Sequence, residues 1–254
     1  MNQQLNQEEL KEFLDEKVVK YNKPDFIQTD PIQLPHRFHK KQDIEIISFL
    51  VSTLAWGNRK AIIQAGEKLI HLMGNNPHEF VLNYTENEIP FVYRTFNSID
   101  LNAFFLSLSE IYKKYESLED VFIENQSDYS TEIGIAQLRK QIVIDNFPKR
   151  TEKHIANIEK GSSCKRINMF LRWMVRSSNT GVDFGIWNKI PLSSLHLPLD
   201  VHTGNVARKL EILTRKQDDW KSVLEIQESL VKFDPSDPCK YDFALFGLGA
   251  FENW

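Results

Sequence analysis

The stretch from Gly161 to Leu213 reads GSSCKRINMFLRWMVRSSNTGVDFGIWNKIPLSSLHLPLDVHTGNVARKLEIL, and its apolar spacing predicts two helices joined by a long loop. The first helix is expected over 163–177. Its apolar residues recur at helical spacing and share one face: Ile167, Phe170, Leu171 and Met174. The basic side chains of the same helix are therefore expected to point away from that face: Lys165, Arg166 and Arg172.

The start of this first helix has the features of an anion-binding site. Ser162 and Ser163 offer capping hydroxyl groups, and the N–H groups of a first helical turn have no partners within the helix. The positive end of the helix dipole strengthens their attraction for phosphate. Lys165 lies in this turn, where an amine is a candidate nucleophile.

The second helix, expected over 201–213, has a well-marked start. Pro198 stiffens the entry, and Asp200 is placed to cap the helix with its carboxylate. If the two helix starts converge, this carboxylate lies near the amine of Lys165. Such a pair suits a reaction in which positive charge develops on a sugar and an amine captures it.

Helical periodicity continues through the rest of the chain, without a series of alternating strands and hairpin turns. A first helix is expected through 10–18, and the segment Pro24 to Pro35 is interpreted as an ordered loop. Asp43 is placed to cap a strongly apolar helix that ends at Trp56-Gly57-Asn58. The sequence thus predicts an all-α fold, with further helices near 62–70, 100–113, 130–146, 219–233 and 238–249.

Composition places the 254-residue chain among ordinary soluble globular proteins, with 41% hydrophobic and 26% charged residues. The net charge of −4 counts against a protein that coats DNA, but charge is unevenly distributed. Between Lys153 and Arg176, six basic residues stand against the single acid Glu159. One region is therefore locally basic within an acidic chain.

Cysteine usage and hydropathy indicate the expected compartment. The two cysteines, Cys164 and Cys239, are too few for a disulfide scaffold, a four-cysteine iron–sulfur cluster or a zinc site. The N-terminal residues lack the basic start and apolar core of a signal peptide, and no apolar run has the length of a membrane span. We therefore expect a cytoplasmic protein without a membrane partner.

Four segments carry a resemblance to the helix-hairpin-helix DNA glycosylase superfamily. LPLDVHTGNVARKL (197–210) resembles its Pro-x-Asp region, so that Asp200 falls on the invariant aspartate. CKRIN (164–168) is similar to the stretch after the hairpin in bifunctional members, where Lys165 falls on the Schiff-base lysine. ISFLVSTLAWGNRKAI (47–62) resembles the first core helix and its following turn, and KYDFALFGLGAF (240–251) the closing helix.

Within the superfamily the chain looks most like the archaeal 8-oxoguanine DNA glycosylases and, more narrowly, a bacterial family of unknown function. The resemblance implies one two-lobed helical domain over 1–254, with a cleft between the lobes. Residues 1–42 would form an N-terminal helix and loop, and residues 43–254 the glycosylase-like core. It also implies a monomeric base-excision repair glycosylase, with possible AP-lyase activity, that acts on an oxidised purine in double-stranded DNA. No metal or organic cofactor is required.

The same resemblance assigns roles to individual residues. Lys165 would attack the sugar, and Asp200 would stabilise the cationic sugar as the base leaves. The implied nucleic-acid-binding residues are Gly161, Ser163, Arg166, Arg172, His202 and Arg208. The implied base pocket or wedge residues are Leu54, Trp56 and Trp173.

Two departures keep other interpretations open. The usual hairpin has a second glycine where Ser163 stands, which affects how closely a phosphate approaches the backbone. With the acidic net charge, this favours a rival hypothesis: a nucleic-acid-binding protein that keeps the fold without base excision. A helical protein-interaction module is a third class. Asp200 as a helix cap alone and Lys165 as a solvated surface residue are the corresponding non-catalytic interpretations.

Overall fold

The computed structural model describes residues 5–177, 179–252 and 254. Residues 1–4, which begin the predicted N-terminal segment, lie outside the described residues, as do 178 and 253. The described part is mostly helical, which confirms the all-α class, and none of its helices is long and apolar enough to cross a bilayer. Its α-helices are α1 (Gln7–Tyr21), α2 (Pro24–Thr29), α3 (Lys41–Thr53), α4 (Arg59–Leu72), α5 (Pro77–Leu82), α6 (Ser98–Lys114), α7 (Leu118–Ile123), α8 (Thr131–Ile142), α9 (Lys165–Val175), α10 (Val201–Lys209), α11 (Trp220–Phe233) and α12 (Tyr241–Phe251).

The long predicted helices are confirmed, and the short elements were missed. Helices α5 and α7 have six residues each, which is too short for helical periodicity to emerge. A two-stranded antiparallel ribbon, β1 (Val92–Tyr93) with β2 (Phe96–Asn97), was missed for the same reason.

The segment Pro24 to Pro35 is not the loop that its prolines predicted. It forms α2 and a 3₁₀ turn over Pro31–Gln33, and a second 3₁₀ turn begins at Pro35. Each of these elements has its proline at the first position, where a missing N–H is no loss. These prolines start helices rather than break them.

The start of α3 also differs from the prediction. The helix begins at Lys41, so Asp43 lies inside its first turn and does not cap it. The carboxylate of Asp43 instead accepts a hydrogen bond from the backbone N–H of His78 in α5, at 2.8 Å. Capping residues are equally suited to a neighbouring helix start, and sequence alone does not distinguish the two.

Helix packing determines where the starts of α9 and α10 lie. Helix α3 packs against α9, α4 and α5, while α6 packs against α5, α7 and α8. Helix α12 packs against both α1 and α10. Helix α9 is buried on most sides, so Arg172 does not point to solvent as the periodicity predicted, whereas Lys165 and Arg166 remain partly exposed. This arrangement brings the starts of α9 and α10 close together.

Gly247 allows α12 to lie directly on the ring of Tyr21 in α1. A methyl group at this position would lie 2.2 Å from Cδ2 of Tyr21. Gly204→Ala is a matched helical control, since its methyl group would meet the movable ends of Arg208 and Asp218, each at 2.9 Å, and would lie in ordinary contact with Cδ1 of Leu199 at 3.4 Å. Compared with that control, we expect Gly247→Ala to lower the free energy of unfolding by about 1–3 kcal/mol through overpacking. Urea denaturation measures both, and equal values for the two variants would contradict the prediction.

Candidate active site

A cleft of about 670 Å³ lies where α10 and α12 face α9 and the turn between α3 and α4. Its walls are partly aromatic, with Phe26, Trp56 and Phe246. Its polar lining includes the predicted pair, Lys165 and Asp200. A concave site with aromatic walls and a few convergent polar groups is the usual form of a small-molecule or base pocket.

Lys165 is the first residue of α9, and its side chain reaches toward α10. Its Nζ lies 3.9 Å from Oδ2 of Asp200 and 3.9 Å from Sδ of Met169. The side chains of Lys165 and Asp200 are each 26% exposed, so a ligand in the cleft can reach both. The structure thus brings together the two residues predicted to form a catalytic pair.

Asp200 is held by its own helix start. One carboxylate oxygen, Oδ1, accepts a hydrogen bond from the backbone N–H of Thr203 at 3.1 Å, which makes Asp200 the cap of α10 as predicted. The other oxygen is the one that faces Lys165. A capped carboxylate has a fixed orientation, so the same residue serves the helix and faces the cleft.

The segment before α9 forms a tight turn beside a second, polar hollow of about 530 Å³. Gly161 has a φ of +78°, and no atom lies within 4 Å of the place where a methyl group would stand. Ser163 lines this hollow, as do Gly161 and five basic residues: Arg139, Lys153, Lys160, Lys165 and Arg166. Arg139 is paired at 2.7 Å with Glu152, which also lines the hollow. The hollow is thus basic, but the prediction that Ser162 and Ser163 cap the helix is wrong. Helix α9 begins at Lys165 after Cys164, with no side-chain cap hydrogen bond, and the Ser162 hydroxyl accepts from the N–H of Cys164 at 3.2 Å.

Arg166 and Trp56 support one another at the cleft wall. The Arg166 guanidinium donates a hydrogen bond to the carbonyl of Thr53 at 2.6 Å and lies 5.3 Å from the centre of the Trp56 ring. The ring of His154 stacks on Trp56, with centroids 5.5 Å apart. Trp56 is partly exposed and lines the cleft, and its role as a base-pocket or wedge residue stays a prediction.

Two predicted wedge residues lie elsewhere. Leu54 is 1% exposed and Trp173 is fully buried, and neither lines the cleft. Leu54 ends α3 in the hydrophobic core, and Trp173 packs into the core on a helix that is buried on most sides. The assignment of these two residues to a base pocket or wedge is therefore wrong.

Arg172 is also misassigned as a DNA-binding residue. It is 4% exposed, and its Nε lies 3.3 Å from Oδ1 of Asp183 while its Nη1 bonds to Asp242. Burial raises the pKa of Asp242 to about 6, although the Arg172 charge opposes this. An arginine whose charge is balanced by two buried carboxylates is a structural group at the base of the cleft.

The two remaining predicted DNA contacts have different settings. His202 is exposed and lines the cleft, where a bound strand could reach it. Arg208 donates hydrogen bonds to the carbonyls of Arg215 and Gln217 and to the carboxylate of Asp218, at 2.7, 3.2 and 2.6 Å. These bonds use Nε and Nη2, and the side chain remains 24% exposed, so the assignment of Arg208 as a nucleic-acid-binding residue stays a prediction.

Sequence reasoning missed several cleft residues, among them Asp30, Arg59 and Phe246. Asp30 lay in the segment interpreted as a loop, although Asp followed by Pro is a helix-start signal that would have located it. Arg59 is the first residue of α4, and Phe246 lies within an almost wholly apolar helix. Nothing in their local sequence distinguishes them from surface and core residues.

A scan against protein-family models matches residues 30–251 to the family described as "Protein of unknown function (DUF2400)". The chain belongs to the DUF2400 family. The DUF2400 match covers the starts of α9 and α10 and every residue that lines the cleft except Phe26. Searches of curated proteins and of solved structures returned no match.

Proposed function

We propose that this DUF2400 protein is a DNA base-excision glycosylase with AP-lyase activity that acts on a damaged purine. One observation carries the proposal: an amine and a carboxylate, Lys165 and Asp200, lie 3.9 Å apart at the wall of an aromatic-lined cleft. A nucleophilic lysine beside a carboxylate is the arrangement that Schiff-base chemistry on a sugar requires.

The first step would be base release. The target nucleotide is flipped from the duplex into the cleft between two helical lobes. The C1′–N9 bond breaks, and the bonding electrons leave with the base, which takes up a proton. Positive charge then develops on the sugar, and the Asp200 carboxylate stabilises it electrostatically.

The second step would be capture by the lysine. The Lys165 amine forms a bond to C1′ and loses a proton, for which Asp200 is the adjacent acceptor. The sugar ring opens with cleavage of the bond between C1′ and the ring oxygen, giving a Schiff base. Loss of a C2′ proton then expels the 3′ phosphate, which breaks the strand.

DNA contacts would come from the basic hollow before α9 and from the cleft wall. Gly161 and Ser163 line this hollow next to Lys153 and Lys160, whose positive charges suit a phosphate group. Trp56, held by Arg166, is placed to contact a base or fill the gap that flipping leaves.

Borohydride trapping tests the proposal. The native protein is incubated with duplexes that carry an abasic site or 8-oxoguanine, and reduction converts a Schiff base into a stable adduct seen by denaturing gel. We expect an adduct that is lost in Lys165→Ala. Lys209→Ala is a matched control because Lys209 is an exposed lysine on α10, outside the cleft lining.

The outcomes separate the rival functions. No adduct with either duplex, together with DNA binding that weakens as salt rises, would support a non-catalytic nucleic-acid-binding protein. An adduct that persists in Lys165→Ala would show that another amine is the nucleophile. The absence of DNA binding even at low salt would overturn both DNA functions.

A further inference from the structure

The carboxylates of the cleft are not alike. Four of them line it, and three lie within 4.0 Å of a basic side chain: Asp200 with Lys165, Asp218 with Arg208, and Asp242 with Arg172. The fourth is Asp30. Across residues 5–177, 179–252 and 254, it has no such ion pair. Asp30 is nevertheless largely buried, with only 9% of the residue exposed.

Asp30 has one oxygen committed to the backbone. That oxygen accepts a hydrogen bond from the N–H of Ile32 at 3.0 Å, and the described part of the chain provides no donor to the other oxygen. Burial raises the pKa of Asp30, and the Ile32 N–H and the more distant charge of Arg172 oppose this only in part. The other oxygen is thus available to a hydrogen-bond donor of a ligand in the cleft that Asp30 lines.

Aromatic rings line the same cleft as Asp30. Phe26 lies one helical turn before Asp30, and its ring packs edge to face on that of Phe246, with centroids 6.2 Å apart. Both rings line the cleft together with Asp30. Aromatic walls beside a hydrogen-bond acceptor fit a planar heterocycle that carries N–H groups on its edge.

We propose that Asp30 makes the cleft specific for bases that present N–H donors, for which guanine-type purines are the best match. Such purines offer the N1–H and the neighbouring 2-amino group on one edge, and a carboxyl group accepts both. Adenine-type bases whose edge is blocked by alkylation, such as 1,N⁶-ethenoadenine, offer no donor there. The inference rests on the proposed glycosylase function.

The test measures base preference against a substrate without a base. Single-turnover rates of borohydride trapping are measured on three matched duplexes that carry 8-oxoguanine, 1,N⁶-ethenoadenine or an abasic site. We expect the native protein to react with 8-oxoguanine at least about tenfold faster than with ethenoadenine. This comparison needs no variant, so it holds whether or not substitutions at Asp30 fold.

Asp30→Asn then tests the residue itself. An asparagine keeps an oxygen for the N–H of Ile32 but turns an amide donor toward the cleft, where it meets the donors of the base. We expect the ratio of the 8-oxoguanine rate to the abasic-site rate to fall by about 10- to 100-fold, the value of one charge-assisted hydrogen bond. Asp25→Asn, at an exposed carboxylate of α2, the helix that precedes Asp30, is the control and is expected to change that ratio less than about twofold.

Three results overturn the inference, and they can be told apart. If the native protein reacted equally fast with 8-oxoguanine and with ethenoadenine, the cleft would not distinguish bases by their N–H donors. An unchanged ratio in folded Asp30→Asn would show that another group reads them. No adduct on abasic-site DNA by the native protein would refute the proposed function, and the inference with it.

Discussion

Asp200→Asn is expected to slow base release by about 10²- to 10⁴-fold while leaving the protein folded. The substitution removes the negative charge that faces Lys165 but keeps an oxygen for the N–H of Thr203. Asparagine and aspartate are about equal as helix caps, so α10 should keep its start. The loss therefore reports the charge alone. The measurement is the single-turnover rate on the lesion duplex that the native protein processes fastest, with the unfolding midpoint recorded in parallel.

Asp219→Asn is a matched control for Asp200→Asn. Asp219 also caps a helix, α11, by accepting the backbone N–H of Ser222 at 3.0 Å, but it lies outside the cleft lining. We expect its rate to stay within about twofold of native. If Asp200→Asn were also within tenfold of native, Asp200 would be a helix cap alone, and the carboxylate role in the mechanism would be wrong.

Asp183→Ala is expected to lower the free energy of unfolding by about 3–5 kcal/mol, the usual cost of leaving buried charges without a partner. The Asp183 side chain is fully buried and accepts from Arg172 at 3.3 Å and Arg176 at 3.1 Å. Its removal leaves two buried guanidinium groups with one carboxylate each, Asp242 and Asp237. Chemical denaturation with an unchanged slope on denaturant measures the loss.

Glu67→Ala is the contrasting control for Asp183→Ala. Glu67 pairs with Arg37 at the surface, where both side chains are more than 40% exposed. Pairs of this kind contribute less than about 1 kcal/mol. A loss in Asp183→Ala as small as that of the control would mean that water enters the network, and Arg172 would then be available to a ligand after all.

The helix starts of the site were predictable because their signals are local. Pro198 and Asp200 lie within three residues of the α10 start that they define, and Lys165 opens the helix whose apolar face the periodicity located. The proximity of these two helix starts, in contrast, depends on tertiary packing. Only the glycosylase resemblance implied it, and the spacing of the residues did not.

Burial in α9 was not predictable in the same way. Periodicity marks the most apolar face of a helix, but it does not show whether the other faces meet solvent or another helix. The partners that hold Arg172 inside lie 11 and 70 residues away, in segments with no regular pattern that links them to α9. Trp173 was misassigned for the same reason. Asp30 was missed because the prolines of the segment Pro24 to Pro35 were interpreted as markers of a loop.

The pairing of α1 with α12 has a consequence for the order of folding. Lys17 and Glu252 bond across 235 positions of sequence, and the apolar residues Leu14 and Val18 are buried in the native state. During synthesis, α1 leaves the ribosome long before α12, so the surface of α12 that buries α1 does not yet exist at that time. Such a distant closure is expected to be a late event, so α12, which carries Asp242 and Phe246, would lock into position last. The cleft would then be complete, and able to bind a substrate, only after α12 has docked.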